Sequence, residues 1–131
     1  MTSEELKLSY RAYITCLNSQ DWKRLGLYVA RDVEYNGSKI GLEGYRRMLE
    51  GDLRAIPDLQ FNIDLLVSEP PRIGCRLLFN CTPTGKLFDI PVNGRCIRFS
   101  ENVFYEYSSD LISKVWSVID TAAIRQQVET L

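Results

Sequence analysis

With no histidine among its 131 residues, this chain must run any acid–base chemistry on carboxylates, tyrosines, lysines, cysteines or ordered water. The same absence removes Ser-His-Asp triads, Cys-His dyads and the commonest metal ligand. The pentapeptide WSVID, residues 116–120, supplies the first candidate. Successive strand side chains alternate between faces, so Ile112, Lys114, Trp116, Val118 and Asp120 share one parity, and a mostly apolar series ends on a carboxylate. Desolvation at the apolar end of a cavity would raise the pKa of Asp120 and make it a base for a carbon acid flanked by carbonyls. The competing reading is an N-cap, because TAAIRQQ follows as a helix and Asp is a favoured capping residue. Residue type and spacing leave both open.

Arg76 and Glu101 are charges inside otherwise apolar strands. Glu101 shares its parity with Ile97, Phe99, Val103 and Tyr105, which points it inward. A buried carboxylate needs a partner, and an arginine on a neighbouring strand could supply one. In the functional reading Arg76 stabilises a substrate carbonyl or enolate and Glu101 holds it in place; in the structural reading the two are an ion pair or an outward face. Asn36, in EYNG, either hydrogen-bonds a substrate oxygen or simply makes a turn. Tyr45, Tyr105 and Trp116 suit the lining of an aromatic cavity, or plain core. Asp58, after Pro57, reads as a turn residue, and Glu50 and Asp52 as the solvated side of a helix. No residues stand at metal-binding spacing, and the glycines of YNGSKIGLEG follow no strand–helix phosphate-binding pattern.

The elements that must position these groups are legible from periodicity. Leu6, Tyr10, Tyr13, Ile14 and Leu17 recur at helical spacing and predict a helix over 4–18, with Ser3 at its start. NSQD ends it and caps a second short helix in DWKRLGLYV. RDVEYNGSKI is β-prone and broken by Asn36-Gly37, a hairpin signal. Leu42, Tyr45, Met48, Leu49 and Leu53 predict a third helix over 41–56, stopped by Pro57. The period then changes to two through LQFNIDLLVSEP, RIGCRLLFNCT, RCIRFSENVFYEYS and LISKVWSVID, and TAAIRQQVE closes as a short helix. Helices first and strands later predict an α+β domain with its helices on one face of a curved, mostly antiparallel sheet, enclosing a central pocket.

Composition sets the outer limits. Hydrophobic residues at 45% and charged residues at 25% describe an ordinary globular protein, most simply one domain over residues 1–131. Sixteen Lys and Arg are scattered without a run, and the net charge is −1, so no nucleic-acid partner is expected. No apolar stretch approaches the roughly 20 residues of a membrane span, and MTSEELKLSY is not a signal peptide, so the expectation is a cytoplasmic protein without a membrane partner. Cys16, Cys75, Cys81 and Cys96 form no C-x-x-C pair and read as free thiols.

The order of elements resembles the nuclear-transport-factor-2-like cone fold. The segments YNGSKIGLEGYRRMLEGDLRAIPDLQFNID and GRCIRFSENVFYEYSSDLISKVWSVIDTAAIRQQ resemble the SnoaL-like polyketide and ester cyclases, over most of the chain from Leu6 to Val128. The resemblance implies a small cofactor-independent enzyme that closes rings in polyketide-derived esters by intramolecular aldol condensation. It implies that the Asp four residues beyond the Trp, here Asp120, is the acid–base residue. It also implies a homodimer or higher oligomer and a small hydrophobic carbonyl-bearing ligand. The chain departs from the family where relatives read Thr-His-Thr-Gly: residues 82–85 are TPTG, with Pro83 in the histidine's place, and Asp89 stands where glycine is usual. A non-catalytic ligand-binding or dimerising module and an epoxide or ester hydrolase are the competing readings.

Overall fold

The computed structural model describes residues 1–129. Helix α1 spans Ser3–Asn18. Its N-cap is Thr2 rather than the expected Ser3: Glu5 N donates to Thr2 Oγ1 at 3.1 Å and Thr2 N donates to the Glu5 carboxylate at 3.0 Å, a reciprocal box that satisfies two otherwise unpaired amides. A 3-10 turn over Trp22–Leu27 leads into β1 (Val29–Tyr35) and β2 (Ser38–Lys39). Asn36 and Gly37 between them both have positive φ, 48° and 86°, as a two-residue hairpin turn matched to strand twist requires. Helix α2 (Gly41–Ala55) follows and stops before Pro57.

The long strands are β3 (Asn62–Glu69) and β4 (Arg72–Cys81), then, after a small hairpin of β5 (Lys86–Leu87) and β6 (Ile90–Pro91), β7 (Ile97–Ser108) and β8 (Leu111–Ile119). Helix α3 spans Thr121–Glu129. The main sheet has six strands in the order β2-β1-β8-β7-β4-β3, antiparallel except where β1 runs parallel to β8. The fold is thus the α+β arrangement that the periodicity predicts. Its inner face packs on α1 and α2 around Tyr10, Tyr13, Leu17, Ile73 and Tyr105.

Strand β8 departs from simple alternation. The ladder to β7 pairs Glu106 with Lys114 but Tyr107 with Ile112, leaving Ser113 as a bulge. An extra residue shifts the side-chain period by one. Ile112 is therefore buried, yet beyond the bulge it is Val115, Ser117 and Ile119 that turn inward, while Lys114, Trp116, Val118 and Asp120 turn out. The outer face of the sheet is consequently apolar: Leu65, Val67, Phe104, Trp116 and Val118 are all exposed, Val118 at 70%. Phe104 and Val67 close over Gly74, where an added Cβ would lie 3.0 Å from each.

Candidate active site

Between the helices and the inner face lies a cavity of about 200 Å³. Its polar groups are Tyr13, Tyr35, Tyr45 and Tyr105 with two carboxylates, Asp52 and Glu101; the rest of the lining is aliphatic or aromatic, and no Lys or Arg stands among the described residues around it.

Each group reaches the cavity for a local reason. Tyr13 and Leu17 are four apart on α1, and Tyr45, Leu49, Asp52 and Ile56 follow one stripe along α2 and its end, since residues three or four apart share a helix face. Glu101, Val103 and Tyr105 alternate inward along β7, and Glu101 pairs in register with Ile119 of β8. Ser117, turned inward by the bulge, donates its hydroxyl to the Glu101 carboxylate at 2.5 Å. Tyr13 and Tyr45 join their hydroxyls at 2.6 Å. Tyr10 donates to Tyr105 from behind at 3.1 Å, with the two rings 4.9 Å apart.

The electrostatics follow from this enclosure. Burial raises the Glu101 pKa above the ordinary carboxylate range, and the hydrogen bond from Ser117 partly offsets that rise. Among the described residues no cation pairs with Glu101; the ion pairs lie elsewhere. Asp52 opens to solvent at the rim while its carboxyl is set against the cavity wall, and desolvation, followed by the negative charge of Glu101, raises its pKa to about 6. Burial likewise pushes Tyr13, Tyr35, Tyr45 and Tyr105 upward, and all four feel the charge of Glu101 as a further upward push. These phenols keep their protons at neutral pH.

Of the residues expected from sequence, Tyr45, Glu101 and Tyr105 come together at the cavity. Four others do not. Asp120 is exposed and accepts a hydrogen bond from Ala123 N at 3.1 Å, capping α3, because the Ser113 bulge puts its parity on the outer face. Arg76 points outward from β4 and pairs with Asp64 at 2.7 Å, so it does not reach Glu101. Both stand beside a shallow outer groove with Arg98 and Asn80. Trp116 is an outer-face residue opposite Phe104, turned there by the same bulge. Asn36 is a turn residue whose amide brackets the Ser117 backbone, accepting from its N–H at 2.8 Å and donating to its carbonyl at 3.3 Å; it braces β1 against β8 outside the cavity.

Asp52, read from sequence as solvated, instead lines the cavity; its spacing of seven from Tyr45 and three from Leu49 is the signal that could have shown it. Glu50 stays outside, paired with Arg46 at 3.1 Å. Asp58 holds the loop after α2 to the end of β4, accepting from Thr82 N at 2.9 Å. Tyr13 is visible in the sequence as helical core. Tyr35 and Ser117 carry no sequence signal for the site.

Comparison with known proteins identifies the family and the fold. The family described as SnoaL-like polyketide cyclase matches residues 7–128. A SnoaL-like polyketide cyclase from Agrobacterium tumefaciens shares 45% identity and superposes with a TM-score of 0.94, covering 98% of this chain and 99% of that one. TsrD from Streptomyces laurentii shares the fold at 19% identity and a TM-score of 0.85, covering 100% and 99% of the two chains. IdmH from Streptomyces antibioticus does so at 15% and 0.82, covering 95% and 98%. No functionally curated protein matches. With nearly its whole length matched, the chain belongs to the SnoaL-like polyketide cyclase family, on the nuclear-transport-factor-2-like cone fold.

Proposed function

We propose that the protein is a cyclase-type enzyme that forms an enolate from a small, uncharged carbonyl compound, with Glu101 as its base. The observation that carries this reading is the enclosed Glu101 carboxylate, which faces the cavity with a hydroxyl for a partner and, among the described residues, no cation. A carboxylate raised in pKa is a stronger base, and proton transfer is most effective when the group's pKa lies near the working pH. Glu101 takes the proton from carbon, the C–H electron pair becomes the enolate double bond, and the carbonyl π electrons move to oxygen. The enolate carbon then attacks a second carbonyl in the same molecule, and the new alkoxide recovers the proton from Glu101. Asp52 at the rim, with its pKa near 6, exchanges protons between the cavity and solvent. Every proton in this sequence is carried by the chain's own groups, without an added cofactor.

Size and charge narrow the substrate. A dry cavity of about 150 Å³ accommodates benzene, so 200 Å³ suits a single ring with a short chain rather than a fused polycycle. Among the described residues the lining has two acidic groups and no basic one, which disfavours a substrate carboxylate.

Proton exchange tests the reading. A monocyclic β-keto ester in D₂O should lose its α-proton signal by NMR faster with the protein than without. Glu101→Gln should slow the catalysed exchange by about 10²–10⁴-fold, and Asp52→Asn by about tenfold. Exchange at the parent rate in Glu101→Gln would overturn the assignment, and binding without exchange in the parent protein would favour the ligand-binding module. The hydrolase reading as drawn from Arg76 and Asp120 loses its residues, since both lie on the outer face.

We also infer that a second copy of this chain covers the apolar outer face of the sheet. Charges of both signs stand around that face, Asp64, Arg76, Arg98 and Asp120, and a two-fold axis can pair them with their opposites.

A further inference from the structure

The tyrosines around Glu101 are arranged in layers. Tyr10 does not line the cavity, but its hydroxyl donates to that of Tyr105, which does. Having accepted a hydrogen bond, the Tyr105 oxygen still carries its own proton, and among the described residues no acceptor takes it. Tyr13 and Tyr45 both line the cavity, and their hydroxyls are 2.6 Å apart. Whichever of them donates, the other keeps a proton to give. A hydroxyl that accepts a hydrogen bond becomes a better donor, because bonds in a chain polarise one another.

We infer that the pairs Tyr13–Tyr45 and Tyr10–Tyr105 form an oxyanion hole, each presenting one O–H proton to the enolate oxygen generated beside Glu101. The inference rests on Glu101 being the base and adds the groups that receive the developing charge. The lining's remaining phenol, Tyr35, is engaged with Ser117, and the described residues there include no Lys, Arg, Asn or Gln. Neutral donors suit this role, because an arginine would bind the Glu101 carboxylate and lower its basicity, whereas a phenol offers a proton without charge. In this arrangement Tyr105 and one member of the Tyr13–Tyr45 pair touch the substrate oxygen. Tyr10 is a positioning residue that polarises Tyr105 from behind. A carbonyl oxygen held by two phenols also fixes the substrate's orientation, so the site selects compounds whose acidic carbon is adjacent to that carbonyl.

The experiment uses a probe that needs no turnover. 4-Nitrophenol mimics an enolate when ionised, and its phenolate absorbs in the visible. Glu101→Gln imitates the base after it has taken the proton, so this variant should bind the probe as its phenolate and lower the probe's apparent pKa by about one unit or more. Adding Tyr105→Phe or Tyr45→Phe should weaken phenolate binding by about tenfold each and move the bound pKa back toward that of the free probe. Adding Tyr10→Phe should leave the cavity's shape intact yet raise the bound pKa by a smaller step, which loss of mere packing would not do.

Site-specific 3-fluorotyrosine at position 105 guards against misfolding of the phenylalanine variants. This more acidic donor should tighten phenolate binding. Failure of Glu101→Gln to bind the phenolate would overturn the inference, as would phenylalanine variants that bind it unchanged. Failure of the base is read separately, as absent carbon-proton exchange with phenolate binding intact.

Discussion

Glu101 and Asp120 show how position decides what one carboxyl chemistry does. Both stand at the same end of the sheet, on β7 and just beyond β8. Glu101 is enclosed and donor-poor; Asp120 is exposed and spends an oxygen on the Ala123 amide. If Asp120 is only a cap, Asp120→Ala should lower stability by about 0.5–2 kcal/mol in denaturant unfolding and leave proton exchange within about twofold of the parent rate. A loss of exchange as large as that of Glu101→Gln would return Asp120 to the chemistry. Glu101, Tyr45 and Tyr105 are legible in the sequence because they sit at regular periods with no irregularity between them. Sequence alone ranks Glu101 as a support for Arg76, since a buried carboxylate ordinarily demands a cation. Here a serine hydroxyl stands in for the cation, and its contribution is visible only in three dimensions.

At the level of elements, the periods of α1, α2 and the long strands are sufficient to predict the helix positions and the strand sequence. Ser113 is what they cannot show. A bulge inserts one residue without any compositional mark, and every side chain beyond it changes faces relative to simple alternation. That single residue explains why Trp116 and Asp120 are expected inside and found outside, and why Ser117 is the reverse. The small β5–β6 hairpin escapes the periodicity for a related reason: Phe88 and Asp89 adopt the positive φ of a two-residue turn, 50° and 63°, without a glycine to signal it. Deleting Ser113 removes only the extra residue, so Ile112 and Val115 should keep their inward places in a now regular ladder. The deletion variant should unfold cooperatively, lose roughly 1 kcal/mol with the Ser113 hydroxyl bond to the Glu106 carbonyl, and leave Trp116 open to iodide quenching at dilutions where the chain is monomeric. Protection of Trp116, or failure to fold, would mean that the register slides instead.

For the whole molecule, the two faces of the sheet serve different ends. Its inner face, with α1 and α2, encloses the cavity; its outer face presents apolar side chains that a monomer would leave in water. A second copy would cover these side chains, and on that proposal analytical ultracentrifugation should find a dimer that Trp116→Lys shifts strongly toward monomer while far-UV circular dichroism is unchanged. A monomeric parent protein at tens of micromolar would contradict the pairing. The cavity does not depend on that face, so the monomeric variant should retain proton exchange. Among the described residues no helix is long and apolar enough to cross a membrane.

The catalytic reading stands on one carboxyl group, and its titration can be followed directly. Carboxyl-carbon NMR of the parent protein, with Glu101→Gln to assign the resonance, should show Glu101 titrating clearly above the ordinary glutamate value of about 4.3, as burial without a cation demands. The exchange rate should rise with pH through the same midpoint. A titration at or below the ordinary value would mean that Glu101 is solvated or paired, and the cavity would then have no base poised for enolate formation.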